Sequence, residues 1–217
     1  MIQRADTLRD QAYTLTRDKI LKREIPFGAR LSVAKLSREF GISNSPIREA
    51  ISRLQNEGLV INEPNSGFRV MTLDKTNFNR IADSVEVIVN GCYDLCLRSG
   101  KTKELCDLLE RRLAIQKEKF TGSISYEYSS ATIDFDRAFV DVCDNELLAK
   151  MFDSVFNMLV LCTFYVYEAC SESEKENMKQ HKNILAAIKS GDEKLARDRI
   201  AEHFDKRKFA DMLDNLE

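Results

Sequence analysis

The sequence predicts a mainly α-helical chain in two parts, and three observations carry that prediction. All three prolines (26, 46 and 64) and four of the eight glycines (28, 41, 58 and 67) fall within the first 67 residues, so the punctuation changes abruptly along the chain. After Pro64, apolar residues recur at helical spacing in six successive stretches with short breaks between them. Just ahead of that change, two short apolar runs, LVINEP and FRVMTL, flank NSG in the manner of a hairpin. A boundary near residue 73 follows, with TLDKTN as the connecting segment.

Residues 7–23 form the first helix, with Ala12, Thr16 and Ile20 stepping down one face and Tyr13 beside them. EIPFGARL is a turn in which Pro26 and Gly28 break the helix before a short extended piece at Leu31. VAKLSREF, residues 33–40, makes a second helix stopped by Gly41. The stretch SNSPIREAISRLQNEGLV, residues 43–60, holds a third helix of about three turns. Ser45 suits its N-cap, Pro46 its first helical position and Gly58 a left-handed C-cap, while Ile47, Ala50, Ile51 and Leu54 form the apolar stripe. Its polar face offers Asn44, Ser45, Arg48, Ser52 and Arg53 instead of the usual Glu and Lys mixture. Helix, helix–turn–helix, hairpin is the order of a winged helix–turn–helix, here over residues 5–73. In that architecture the second helix of the pair lies in the DNA major groove. Short side chains then allow close approach to phosphates, and an occasional Arg reaches a base edge.

The second part, residues 74–217, is expected to be an all-α helical bundle, with helices near 76–98, 102–120, 125–143, 145–170, 172–189 and 192–213. Gly100, Gly122, Asp144-Asn145, Ser171 and Gly191 mark the breaks. The fourth helix is apolar almost all round and is expected to be the buried central one. Phe135, Phe139, Phe152, Phe156, Phe164 and Met158 are expected in the core rather than lining a pocket.

Composition bounds the function. A hydrophobic share of 43% and a charged share of 31% are those of a soluble globular protein. No apolar run approaches the length needed to span a bilayer, and MIQRADTLRD lacks the apolar centre of a signal peptide, so a cytoplasmic location without membrane contact is expected. The six cysteines form no C-x-x-C pair and read as reduced, buried thiols. Through residue 73 there are 12 Lys and Arg against 8 Asp and Glu, and beyond it 21 against 27. A basic front suits a polyanionic partner for the first part only.

The motifs PFGARL, KLSREFGISNSPIREAISRLQNEGLV and NSGFRV resemble the GntR family of bacterial transcription regulators over about residues 7–72. FDRAFVDVCDNELL and HKNILAAIKSGDEKLARDRIAEHF look like the FCD effector domain of the FadR subfamily. The resemblance implies a homodimer whose two reading heads address an inverted-repeat operator in double-stranded DNA, with a small-molecule effector in the bundle changing DNA affinity. Repression is the expected output, although the sequence itself does not distinguish it from activation. DNA contacts carried over residue by residue fall on Ser43, Ser45 and Arg48 in the third helix and on Ser66 and Gly67 at the wing tip. Lys35 and Arg38 are placed to touch phosphates. The chain departs from the family where Asn44 replaces an arginine of the third helix and Ala34 an arginine of the supporting helix. Asn favours adenine edges where Arg favours guanine, so a different operator is expected.

Many FCD domains hold a divalent metal with an Asp and a His four residues apart plus one His from each of two later helices. Here the later pair is His181 and His203, the two histidines of the chain, and the first pair aligns with Thr132 and Asp136. The resemblance therefore leaves Asp136, His181 and His203 as the candidate ligands of a Zn, Ni or Mn ion, and Thr132, Asp136, His181 and His203 as the effector pocket. An effector arginine of the family aligns with Ala82. Without a metal, the same groups would hydrogen-bond within the pocket. Two other readings stand beside the regulator: a protein-interaction module on a degenerate winged helix, motivated by Ala34 and Asn44, and a metal hydrolase using Asp136, His181 and His203. Against the hydrolase, and for a protein that is not an enzyme, the sequence holds no H-E-x-x-H motif and no evident nucleophile–base pair.

Overall fold

The structure is a computed structural model and describes residues 7–64, 66–72, 75–169 and 171–205. Two compact units divide at residues 73 and 74.

In the first unit, α1 (Leu8–Leu21) opens on Thr7, whose hydroxyl accepts from the Asp10 amide. Ala12, Tyr13, Thr16 and Ile20 are buried along one face, as the periodicity requires, and that face packs against α3 (Asn44–Asn56). Between them lies α2 (Val33–Phe40), closed by Gly41 at φ 68, a left-handed conformation that costs a side chain-bearing residue more than glycine. The N-cap of α3 is Ser43, not Ser45, so Pro46 occupies the third helical position rather than the first. That placement is tolerated because the first turn has no intrahelical acceptors for its N–H groups anyway. Strands β1 (Val60–Glu63) and β2 (Gly67–Val70) pair antiparallel, with Val60 opposite Val70 and Glu63 opposite Gly67. The segment around Arg30 adds itself to β2: Leu31 donates to Phe68 O at 2.9 Å and Val70 donates to Ala29 O at 2.9 Å. The core of this unit is Ile47, Ala50, Ile51, Leu54, Leu59 and Val70, each at most 1% exposed, as are Ala12 and Ile20 of α1.

The second unit holds six helices among its described residues: α4 (Lys75–Arg98), α5 (Thr102–Lys119), α6 (Tyr126–Cys143), α7 (Glu146–Ala169), α8 (Ser171–Ser190) and α9 (Glu193–His203). Gly100, Gly122, Asp144 and Gly191 all take positive φ at the breaks. The expected extension of the last helix to 213 lies outside the described residues beyond 205.

The central helix is α6, not α7. Eleven of the 18 residues of α6 are buried, and α4, α5 and α7 pack around it. By contrast, only six of the 22 residues of Glu146–Tyr167 in α7 are buried, although an 18-residue stretch of it has a mean hydropathy of 1.5. This corrects two expectations, the buried α7 and the absence of an apolar run of bilayer length. The physical reason is that α7 has two apolar faces with different fates. Phe152, Val160, Leu161, Cys162 and Val166 are built into the bundle, while Leu147 (68% exposed) and Met151 (57% exposed) point outward one turn apart. Among the expected core aromatics, Phe135, Phe139 and Phe152 are fully buried. Cys92, Cys96, Cys106, Cys143 and Cys162 are free thiols, all buried except Cys143, which is half-buried. Burial pushes the Cys96 thiol up to about 11, which keeps it protonated.

Candidate functional site

Two constellations arise, one in each unit. On α3 the stripe Ile47, Ala50, Ile51 and Leu54 is buried, which turns Asn44, Ser45 and Arg48 to the exposed side. The Ser43 hydroxyl makes no capping hydrogen bond, and the Ser45 hydroxyl lies 3.3 Å from Glu49 Oε1. Lys35 and Arg38 are exposed on α2, where Arg38 Nε donates to Ala34 O at 3.2 Å; Ala34 itself is exposed. At the wing, Ser66 N donates to Glu63 O at 3.1 Å, and the exposed Gly67 has φ 80 with nothing within 4 Å of where a Cβ would stand.

Arg53 belongs to a different set. Its guanidinium lies over the Tyr13 ring at 3.6 Å, with Glu57 at 3.4 Å and Asp10 at 3.9 Å. The Tyr13 hydroxyl in turn donates to Glu57 at 2.8 Å. It ties α3 to α1, and nothing in the α3 sequence announces this, because Tyr13 lies far away in the chain. Arg69, a basic residue of the wing, forms an ion pair with Glu63 at 3.2 Å and donates to the Gly28 carbonyl.

In the second unit, Asp136 from α6, His181 from α8 and His203 at the end of α9 come together in the interior. They are 3%, 0% and 7% exposed, and their ligand atoms lie within 4.8 Å of one another. Asp136 Oδ1 is 3.4 Å from His203 Nε2 and 4.0 Å from His181 Nε2. Burial, reinforced by the neighbouring His203, holds the His181 imidazole well below the usual histidine range. A neutral ring at 4.0 Å from a carboxylate is not an ion pair, and His181 Nε2 has no hydrogen-bond partner among the described residues.

The other ring nitrogens are occupied. Gln116 Oε1 of α5 lies 2.8 Å from His181 Nδ1, and Gln180 Oε1 lies 3.0 Å from His203 Nδ1. Thr132 is 1% exposed and hydrogen-bonds to Gln116 rather than to either histidine. The Phe135 ring stacks on His181 at 3.9 Å with 10° between planes. Reading the sequence singled out the three ligand-type residues but neither glutamine; the signal was there only as a pair of uncharged amides in otherwise charged helices.

A cavity of about 70 Å³ opens beside this cluster. Asp136, Asn177 and His203 stand on its wall among Phe78, Ile81, Leu159, Val166 and Phe204, with Ala82 where the resemblance would place an arginine. Of the four residues expected in an effector pocket, Asp136 and His203 line the cavity, whereas Thr132 and His181 are not among its lining residues.

Known proteins share the order of the two units. Residues 8–70 match the family described as bacterial regulatory proteins, gntR family, and residues 95–206 match the FCD domain. The chain is 26% identical to the HTH-type transcriptional regulator McbR of Escherichia coli (strain K12), over 81% of this chain and 79% of that one. It is 23% identical to the HTH-type transcriptional regulator YdhC of Bacillus subtilis (strain 168), over 89% of this chain and 86% of that one. Among solved structures, E. coli McbR/YncC superposes with a TM-score of 0.70 at 21% identity, covering 98% of this chain and 100% of the other. A putative GntR transcriptional regulator from Rhodococcus sp. RHA1 gives 0.69 at 19% identity, covering 95% and 97%. With a helix–turn–helix in the first unit and an FCD domain spanning most of the second, the chain belongs to the GntR family of bacterial regulatory proteins.

Proposed function

We propose that the chain is a DNA-binding transcriptional repressor whose residues 5–73 read an inverted-repeat operator and whose residues 74–217 dimerise and bind the effector. The observation that carries the DNA reading is the outward face of α3. Asn44, Ser45 and Arg48 are exposed together, opposite a fully buried stripe, and Arg48 has no hydrogen bond or ion pair among the described residues. The uncapped Ser43 hydroxyl and the free amides of the first turn suit a phosphate. Lys35 and Arg38 add positive charge on α2, and the bare Gly67 backbone lets the wing approach a minor groove with Ser66 beside it.

The second unit's three buried ligands fit a divalent metal. Tetrahedral bonds of the usual length put donor atoms about 3.4 Å apart; Asp136 and His203 stand at 3.4 Å, Asp136 and His181 at 4.0 Å, so a small inward shift of His181 completes the set. His181 Nε2 is buried without a hydrogen-bond partner among the described residues, which suits a metal ligand. Two imidazoles and one carboxylate suit Zn, Ni or Mn. When bound, such an ion supplies open coordination positions to a small ligand in the adjacent cavity, whose walls are mostly apolar. A second copy of the chain would cover the outward face of α7 and Val87 of α4, which is 72% exposed on a helix packed against α7.

The test is a titration of labelled DNA from upstream of the protein's own gene, repeated at several salt concentrations and paired with metal analysis of the purified protein. Binding that weakens steeply with salt is expected, because released counterions drive it. No binding at low salt would overturn the reading.

A further inference from the structure

Both histidines present Nδ1 to a glutamine carbonyl, and for His181 a run of hydrogen bonds outside the ring points to one direction. The chain of bonds starts at the Tyr128 backbone carbonyl, which can only accept. Thr132 Oγ1 lies 3.0 Å from it, so the single hydroxyl proton of Thr132 goes there and Oγ1 is left as an acceptor. Gln116 Nε2 lies 3.0 Å from that Oγ1 and 3.2 Å from Asn177 Oδ1, and it donates to both. The Gln116 amide therefore turns its carbonyl to His181 Nδ1 at 2.8 Å. A carbonyl does not donate, so Nδ1 holds the ring proton and Nε2 is bare, on the side of Asp136.

We infer that Gln116 and Thr132 are positioning residues that fix His181 in the one tautomer able to ligate a metal. The inference rests on the metal reading given above and assigns Thr132 a new role. It stands where the family resemblance places a ligand, yet its hydroxyl is committed to Tyr128 and Gln116 and reaches the site only through the amide. The reverse orientation of Gln116 would set its carbonyl against Thr132 Oγ1 and Asn177 Oδ1, the two oxygens that now accept from its amide nitrogen. Gln116 is 0% exposed and Thr132 is 1% exposed, so bulk water does not relieve that conflict. Partners of this kind around ligating histidines change metal affinity by about 10–100-fold when removed.

His181 and His203 are the chain's two histidines, so protein labelled with ¹⁵N-histidine carries two imidazoles, distinguished by a His203→Asn variant. In the metal-free full chain, nitrogen shifts should show His181 protonated at Nδ1 and bare at Nε2. Gln116→Leu should abolish that preference, and Thr132→Ser, which keeps the hydroxyl that Gln116 donates to, should retain it even if the leucine variant folds poorly. Chelator competition should give metal affinity about 10–100-fold lower for Gln116→Leu and near wild type for Thr132→Ser. Because Thr132 acts through Gln116, Thr132→Val should weaken binding by less, and the double variant should bind no worse than Gln116→Leu alone. His181 protonated at Nε2 in the wild type, or losses that multiply in the double variant, would overturn the inference. Failure of any divalent ion to bind, with the Nδ1–H tautomer present and lost in Gln116→Leu, would overturn the metal reading and uphold the tautomer relay.

Discussion

Arg48 and Arg53 lie five residues apart on α3 and are both exposed, yet only Arg53 has partners at Tyr13, Glu57 and Asp10. Substituting each separates readout from support. Arg48→Ala should weaken operator binding by about 1–3 kcal/mol if it pairs with a base edge, with the melting temperature unchanged. Arg53→Ala should do the reverse, costing about 0.5–1 kcal/mol of stability through the lost cation–π contact; fluorescence anisotropy and thermal melts read the two effects. A pH effect belongs to His181. Its folded-state pKa lies below the ordinary 6.5, so below about pH 6.5 the unfolded chain takes up a proton that the folded metal-free protein refuses. Stability is therefore complete above that pH and falls as pH drops, by at most about 1.4 kcal/mol per pH unit for one proton. Urea midpoints at pH 7 and 5.5 should separate more in wild type than in His181→Gln. At this scale the sequence was legible wherever a residue type is chemically rare, as with two histidines in a chain of 217. It was silent on Arg53, Gln116 and Gln180, whose roles depend on partners brought close only by folding.

Helix limits were legible in the sequence because they depend on local chemistry: Gly41, Gly58 and Gly191 all adopt the left-handed backbone expected of residues that end helices. The start of α3 was misplaced by two residues because three candidate caps, Ser43, Asn44 and Ser45, stand in a row and tertiary packing of Ile47 chooses among them. The exchange of α6 and α7 has a deeper cause. Hydrophobicity was taken as the mark of the centre, but the centre of this bundle holds the polar site, so α6 carries buried Ser129, Thr132 and Asp136 and looks less apolar than α7. The surplus apolar surface of α7 is then best explained by a partner. Replacing Leu147 and Met151 with Glu should shift sedimentation from dimer to monomer while leaving the thermal stability of the bundle within about 1 kcal/mol, because neither side chain is in the core. A dimer that survives both substitutions would move the interface elsewhere.

For the whole molecule, each unit has its own core, with the metal and effector proposed for the second and the operator proposed for the first. Thermodynamic linkage makes that separation measurable. A metal at 100 times its dissociation constant stabilises the unit that holds it by about 2.7 kcal/mol, provided the unfolded chain does not bind it. If the units unfold independently, calorimetry with and without a chelator should move one transition and leave the other in place. In a regulator they cannot be fully independent, because a ligand shifts an equilibrium only through different affinities for its two states. Whatever factor by which effector changes operator affinity must reappear as the factor by which operator changes effector affinity. A tenfold effect corresponds to about 1.4 kcal/mol passing between the units. Operator DNA should therefore alter effector or metal affinity, measured by calorimetric titration, by the same factor that the ligand alters operator affinity. Equal factors above one place the coupling in this chain, and a ligand that leaves operator affinity unchanged must also bind equally well with and without DNA.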